Sequence, residues 1–205
     1  MTTAQPELSP AARGGILALL AVVMLATRIH HFGALPDASW LVFFAGGFYL
    51  RHAWRWALPL LLALAVLIDY AVISGQGLNF WNHYCVSPAY WFLAPAYGAM
   101  WLGGAWLARR YRGLGMRELG LLAGSVLVSA SLCYLVSNGS FYWLSPAVAT
   151  PNIGGWMKNL GDWYVPYLGT SLIYAAVGAA LHAASVLAAR ELRGATARGA
   201  RLGHR

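Results

Sequence analysis

The sequence predicts an all-α integral membrane protein, a bundle of six transmembrane helices with both termini in the cytoplasm. Of its 205 residues, 60% are hydrophobic and only 10% are charged, which leaves too little polar surface for a soluble globule of this size. The apolar residues recur in six runs, at 14–28, 38–50, 54–73, 88–108, 118–136 and 165–189. Two runs are shorter than the ~20 residues that cross a bilayer, so we expect them to extend into their flanks.

The chain begins with a polar segment, residues 1–13, that contains Pro6 and Pro10. The apolar run that follows starts too late and continues too long for a cleaved signal peptide, so we expect a retained first span. We therefore divide the chain into a cytoplasmic tail at 1–13, a membrane domain at 14–190 and a basic cytoplasmic tail at 191–205.

The orientation follows from the basic residues, because cytoplasmic loops of membrane proteins carry an excess of Lys and Arg. With the N-terminus inside, 12 of the 14 basic residues fall on the inner side, and only Arg28 and Lys158 fall outside. The net charge of +8 is explained by this topology, so the predicted partner is the lipid bilayer and no nucleic acid is implied. No Gly-x-x-x-x-Gly-Lys-Ser/Thr loop is present, so the chain cannot hydrolyse ATP by that route.

The most unusual outer stretch is 79–90, with the sequence Asn-Phe-Trp-Asn-His-Tyr-Cys-Val-Ser-Pro-Ala-Tyr. It combines aromatics, amides, a histidine and a thiol without one Lys, Arg, Asp or Glu. Cys85 precedes the expected start of the fourth helix at Ser87-Pro88, where the helix dipole favours a thiolate. A thiolate is a soft metal ligand and a nucleophile, although a buried cysteine without a role is the common alternative. Asn82, His83 and Tyr84 are candidate ligand-binding neighbours.

Asp69 lies near the outer end of the third run, where a carboxylate is costly unless it has a partner. Arg28 closes the first run on the same side, so we predict an Arg28–Asp69 pair or a hydrogen bond from Asp69 to a ligand; a carboxylate solvated by water is the alternative. Tyr90 follows Cys85 by about one and a half helical turns and could face the same cavity. His30 and His31 could bind a ligand, but no His-x-x-x-His or Glu-x-x-His spacing specifies a metal.

The outer segment from 137 to 164 is rich in Trp, Tyr, Gly and Pro and shows no helical pattern. Its length favours a binding or gating loop. Cys133 lies within the fifth run and is interpreted as a packing residue.

Several of these residues resemble a known family, the BtuM-type solitary substrate-binding (S) components of energy-coupling-factor (ECF) vitamin transporters. The resemblance rests on Arg-Ile-His-His-Phe-Gly with Pro-Asp-Ala-Ser-Trp within 28–40, Leu-Ile-Asp-Tyr at 67–70, and Asn-His-Tyr-Cys-Val-Ser-Pro-Ala-Tyr at 82–90. It implies a cobalamin-binding transport protein of the bacterial cytoplasmic (inner) membrane, with no cofactor of its own and an ATP-driven ECF energising module as partner.

The resemblance also implies roles for individual residues. Cys85 matches the cysteine that ligates the cobalt of cobalamin and assists loss of the cyanide ligand. Asp69 and Tyr90 match polar residues of the pocket, and His30 or His31 matches a pocket histidine. Lys158 is the basic residue nearest to the place of a pocket arginine in the long outer loop.

Other functions fit parts of the pattern. The chain could be an S component for another vitamin or a metal ion, with Cys85 incidental. It could instead be a small membrane thiol enzyme or redox protein that uses Cys85 with His83 as a base, or a scaffold whose outer aromatics meet a partner.

Overall fold

The computed structural model describes residues 8–29 and 36–202, with side chains described as far as residue 196, and this part of the chain is all-helical. The α-helices are α1 (Pro10–Arg28), α2 (Ser39–Leu50), α3 (Trp54–Gly75), α4 (Leu93–Arg110), α5 (Met116–Leu144) and α6 (Ile153–Leu202). Short 3-10 helices cover Arg51–Ala53, Phe80–Asn82 and Pro88–Phe92. The predicted all-α class is confirmed.

Within the described residues, four helical stretches are long and apolar enough to cross a membrane: Pro10–Arg28, Ser39–Gly75, Met116–Leu144 and Ile153–Thr196. These stretches are compatible with a multi-pass membrane protein. The sequence predicted six spans. The difference arises because α2 and α3 are joined through a 3-10 turn into one helical stretch, and because α4, which ends in Arg109 and Arg110, is not apolar enough over its 18 residues.

The stretch Ser39–Gly75 folds back on itself at the 3-10 turn. A Cβ atom built on Gly46 would lie 3.5 Å from Cδ1 of Leu61. Fifteen residues of straight helix would separate these positions by about 22 Å. Therefore α2 and α3 lie side by side, and α2 also packs against α1 and, most extensively, against α4.

The helices run between two ends of the bundle. At one end, here the Arg28 end, Arg28 contacts the start of α2 and the first turns of α4. At the other end, here the Tyr111 end, Tyr49 of α2 and Tyr111 after α4 both bond to His182 of α6. Arg51 and Arg109 also lie near one another at the Tyr111 end.

The helices α5 and α6 correct the predicted outer loop. The segment 137–164 is helical except for residues 145–152, because α5 continues to Leu144 and α6 begins at Ile153. Asn152 precedes α6 and its Oδ1 accepts from the backbone N–H of Gly155 at 2.9 Å. This side chain satisfies a free N–H of the first turn, so α6 begins despite the Gly-Gly pair that had suggested a loop.

The chain termini are also more helical than the domain division implied. Ser9 caps α1 through a bond from the Ala12 N–H at 3.2 Å, so α1 begins at Pro10, inside the predicted tail. At the other terminus, α6 continues to Leu202 through most of the predicted basic tail.

Candidate functional site

The centre of the site is Arg28, the last residue of α1, whose side chain is only 5% exposed. Its Nε and Nη2 atoms each donate to one oxygen of Asp69 at 2.7 Å. The sequence hypothesis placed these two residues in contact, and in the structure they form this bidentate pair between α1 and α3. Arg28 and Asp69 meet because each lies where its helix reaches the Arg28 end.

Two further partners of Arg28 come from the start of α2. Nη1 of Arg28 donates to Oδ2 of Asp37 at 2.9 Å and to Oγ of Ser39 at 3.0 Å. Oδ1 of Asp37 accepts from the backbone N–H of Ser39 and from its hydroxyl, at 2.9 and 2.6 Å. Sequence reasoning did not assign these roles, although an Asp-x-Ser pattern ahead of an apolar run is a recognisable helix-start signal.

Two tyrosine hydroxyls complete the cluster. Tyr90 donates to Oδ2 of Asp69 at 2.7 Å, and Tyr97 of α4 lies 2.9 Å from Nη1 of Arg28. Tyr90 belongs to the 3-10 helix Pro88–Phe92 and not, as expected, to the fourth α-helix, which begins only at Leu93. Tyr97 was missed because nothing in the sequence shows which face of α4 is turned toward Arg28.

This Arg28 cluster, made of Arg28, Asp37, Ser39, Asp69, Tyr90 and Tyr97, joins α1, α2, α3, α4 and the segment ahead of α4. Among the described residues, one guanidinium faces two carboxylates. Asp69 is the more accessible of the two, with 18% of its side chain exposed. Buried charges are tolerated only when they are paired and hydrogen-bonded, and here each one has several partners.

Cys85 lies between the 3-10 helices Phe80–Asn82 and Pro88–Phe92, and it is half-buried. A helical segment begins at Pro88 as predicted, but its first five residues form a 3-10 helix, and α4 itself begins eight residues after Cys85. Burial raises the pKa of the Cys85 thiol, a hydrogen bond with Tyr84 lowers it by a smaller amount, and the charge of Asp69 adds a further, still smaller rise. The expected stabilisation of the thiolate by a helix dipole is therefore corrected: this site favours the neutral thiol.

The neighbours of Cys85 form an exposed aromatic surface. The rings of His83 and Tyr84 have centroids 4.5 Å apart, and Nδ1 of His83 accepts the backbone N–H of Cys85 at 3.3 Å. Tyr84 and Asn82 are exposed. Loop 76–92 is bonded to Ser145, the residue that follows α5, whose Oγ donates to the Tyr84 carbonyl at 3.5 Å.

The described structure does not bring Lys158 into this cluster. Lys158 lies on α6, with its side chain 76% exposed, and forms an ion pair with Asp162 at 2.6 Å. The pair is of the (i, i+4) type that forms on a helix surface. His30 and His31 lie outside the described residues.

A cavity of about 160 Å³ opens beside the cluster between α3 and α4. Arg28, Tyr90 and Tyr97 supply its polar lining, and Leu62, Val66 and Ala94 are among its apolar residues. Pockets that enclose drug-sized ligands measure about 300–1,000 Å³. In this conformation the cavity is too small to enclose a corrin ring.

No family model matches the chain, and no curated protein is similar enough to be a relative. Among the described residues, no group of three or more His, Cys, Asp or Glu side chains is arranged to hold a metal ion.

Proposed function

We propose that the protein is a membrane transport protein that binds cobalamin at the Arg28 end, with the cobalt ligated by Cys85. The observation that carries the proposal is the position of Cys85: a half-buried thiol, within electrostatic range of the Asp69–Tyr90 pair, on a loop rich in exposed aromatics. A soft thiolate suits a cobalt centre, and the resemblance of residues 82–90 to BtuM-type S components supports the same ligand.

The proposed topology has six spans, with both termini in the cytoplasm of a bacterium and the Arg28 end facing outward. The distribution of arginines supports it. Arg51, Arg109, Arg117 and Arg190 lie toward the Tyr111 end, as the positive-inside rule requires of a cytoplasmic face. The vitamin would then be captured from the outer side of the inner membrane, and an ATP-driven ECF module would supply energy for its release inward.

The exposed aromatics near Cys85 suit a large, flat, partly apolar ligand. Trp81 and Trp91 are 68% and 61% exposed and flank the thiol in sequence. Because the cavity at Arg28 is small, the corrin would lie over loop 76–92, or the loop would move away from α3 to admit it. Loss of cyanide would proceed by ligand exchange: the thiol gives its proton to solvent, sulfur bonds to Co(III), and cyanide leaves with its electron pair.

The test compares Cys85→Ser with Cys133→Ser on mixing with cyanocobalamin. Cys133 is 2% exposed in the core and serves as the matched thiol control. The wild type and Cys133→Ser are expected to shift the corrin absorption spectrum as the cobalt–sulfur bond forms, and Cys85→Ser is expected to give no shift. An unaltered wild-type spectrum, or an equal shift with Cys85→Ser, would refute the proposal.

The rate of cobalt–sulfur bond formation is expected to rise with pH. The pKa of Cys85 is raised, so the thiolate that binds cobalt is the minor species at neutral pH and increases about tenfold for each pH unit. Stopped-flow absorbance should therefore show a rate that increases about tenfold per unit from about pH 6 to pH 8. A rate independent of pH over this range would mean that thiol ionisation does not limit the reaction.

The alternative functions are less well supported. A thiol enzyme with His83 as base would need a hydrogen bond between a His83 ring nitrogen and the thiol, whereas the bond observed runs from the Cys85 backbone N–H to Nδ1 of His83. A bare metal ion lacks a ligand group among the described residues. An S component for a different vitamin would bind that vitamin tightly and leave the cobalamin spectrum unchanged in the same experiment.

A further inference from the structure

A second cavity lies at the Tyr111 end, between α2, α4, α5 and α6, and measures about 320 Å³, twice the volume of the cavity at Arg28. Its lining is almost wholly apolar and includes Phe44, Phe48, Leu107, Leu122 and Ala179. It takes no part in the cluster around Arg28 or in the loop that carries Cys85. Stretches that contribute to its walls are apolar enough to span a membrane, so we place the cavity within reach of lipid acyl chains.

One wall of this cavity is fixed by hydrogen bonds. Nδ1 of His182 lies 2.7 Å from the hydroxyl of Tyr49, and Nε2 lies 2.8 Å from the hydroxyl of Tyr111. The imidazole thereby ties α6 to the end of α2 and to the segment after α4. Edge-on contact between the Phe48 and His182 rings, with centroids 5.7 Å apart, supports the same wall. The cavity is thus held open by bonded side chains rather than by loose packing.

Several arginines lie at the same end of the bundle as this cavity. Arg51 donates to the carbonyl of Phe48, a lining residue, at 3.3 Å, and lies close enough to Arg109 for the two charges to repel. Arg190 acts electrostatically on Tyr111. The lining carboxylate Glu118 is already paired with Arg117 at 2.9 Å. The surroundings therefore favour a negatively charged group beside the apolar space.

We propose that this cavity binds an anionic diacyl phospholipid, with an acyl chain between α2, α5 and α6 and the phosphate beside Arg51 and Arg109. The combination of an apolar space in the membrane with repelling arginines next to it matches the two parts of such a lipid.

The proposed binding of a lipid acyl chain in the cavity is tested with Ala179→Phe and Ala180→Phe. Ala179 lines the cavity, whereas its neighbour Ala180 is exposed on the same helix and is the matched control. The full chain is purified in neutral detergent and titrated with phosphatidylglycerol or with phosphatidylcholine of the same acyl chains, and bound lipid is counted by native mass spectrometry. Wild type and Ala180→Phe are expected to bind one phosphatidylglycerol, and Ala179→Phe is expected to lose it.

The proposed contact between the lipid phosphate and the arginines is tested with substitutions outside the core, which are less disruptive to folding. The double variant Arg51→Gln, Arg109→Gln should weaken phosphatidylglycerol binding by about fivefold for each arginine removed and leave phosphatidylcholine binding unchanged. Lys158→Gln, which removes a charge from α6 close to its N-terminus, should bind as the wild type does. Equal binding of the two lipids by the wild type would overturn the proposal, and so would phosphatidylglycerol binding that neither the double variant nor Ala179→Phe reduces.

Discussion

Replacing Arg28 with glutamine is expected to lower the free energy of unfolding by about 3–5 kcal/mol, the usual cost of removing one partner from a buried ion pair. The change leaves Asp37 and Asp69 without the guanidinium that bonds both of them. Glutamine cannot replace the bidentate contact with Asp69 while also reaching Ser39 and Tyr97. The measurement is unfolding of the purified protein in detergent, by denaturant or heat.

Two variants serve as controls for Arg28→Gln. Asp69→Asn keeps a hydrogen-bonding side chain and leaves one guanidinium facing one carboxylate among the described residues, so a loss of about 1–2 kcal/mol is expected. Lys158→Gln breaks an ion pair that is largely exposed, which is worth at most about 1 kcal/mol. An Arg28→Gln variant as stable as Lys158→Gln would contradict the role of the Arg28 cluster in holding the helices together.

The second large effect is expected at Gly104 of α4. A Cβ atom at this position would collide with the backbone carbonyl of Phe44 in α2, so Gly104→Ala must push the two helices apart. Because the colliding atoms belong to the backbone and cannot rotate away, we expect a loss of about 3 kcal/mol or more, at the upper end for overpacked cores. The same unfolding experiment measures it.

Gly98 provides the matched control on the same helix. A Cβ atom there would have no atom within 4 Å beyond its immediate surroundings in the helix, so Gly98→Ala should be neutral or stabilise the helix by up to about 1 kcal/mol. If the two alanine variants unfold alike, the close approach of α2 and α4 at Gly104 does not contribute to stability.

The Arg28–Asp69 contact shows how far sequence reasoning can reach into the site. Arg28 was predicted to close the first apolar run and Asp69 to lie near the outer end of the third, on the same side, and a charge in that position needs a partner. That argument predicts that Arg28 and Asp69 lie at the same end of the bundle. It does not predict which residues of the other helices contact them. Tyr97 and Ser39 reach Arg28 because of how α2 and α4 are rotated and packed, which depends on side-chain fit between helices distant in sequence.

Cys85 shows the opposite case. Its position in an aromatic loop was visible in the sequence, but its ionisation depends on surroundings that only the folded chain creates. The expected helix N-terminus is replaced by the 3-10 helix Pro88–Phe92, and burial together with the charge of Asp69 raises the thiol pKa. The local sequence does not show these effects on the pKa of Cys85, because desolvation and Coulomb interactions depend on residues that are close in space and distant in sequence.

The sequence by itself determined the helical class and the apolar stretches, because these follow from composition and periodicity along the chain. It also showed that Arg28 and Lys158 lie between different apolar runs from the other basic residues. The tertiary structure decided that α2 and α3 fold back on each other, that the 137–164 segment is mostly helix, and that six side chains meet at Arg28. It also decided where the cavities lie. These features depend on contacts between residues distant in sequence, and the hydropathy pattern along the chain does not predict such contacts.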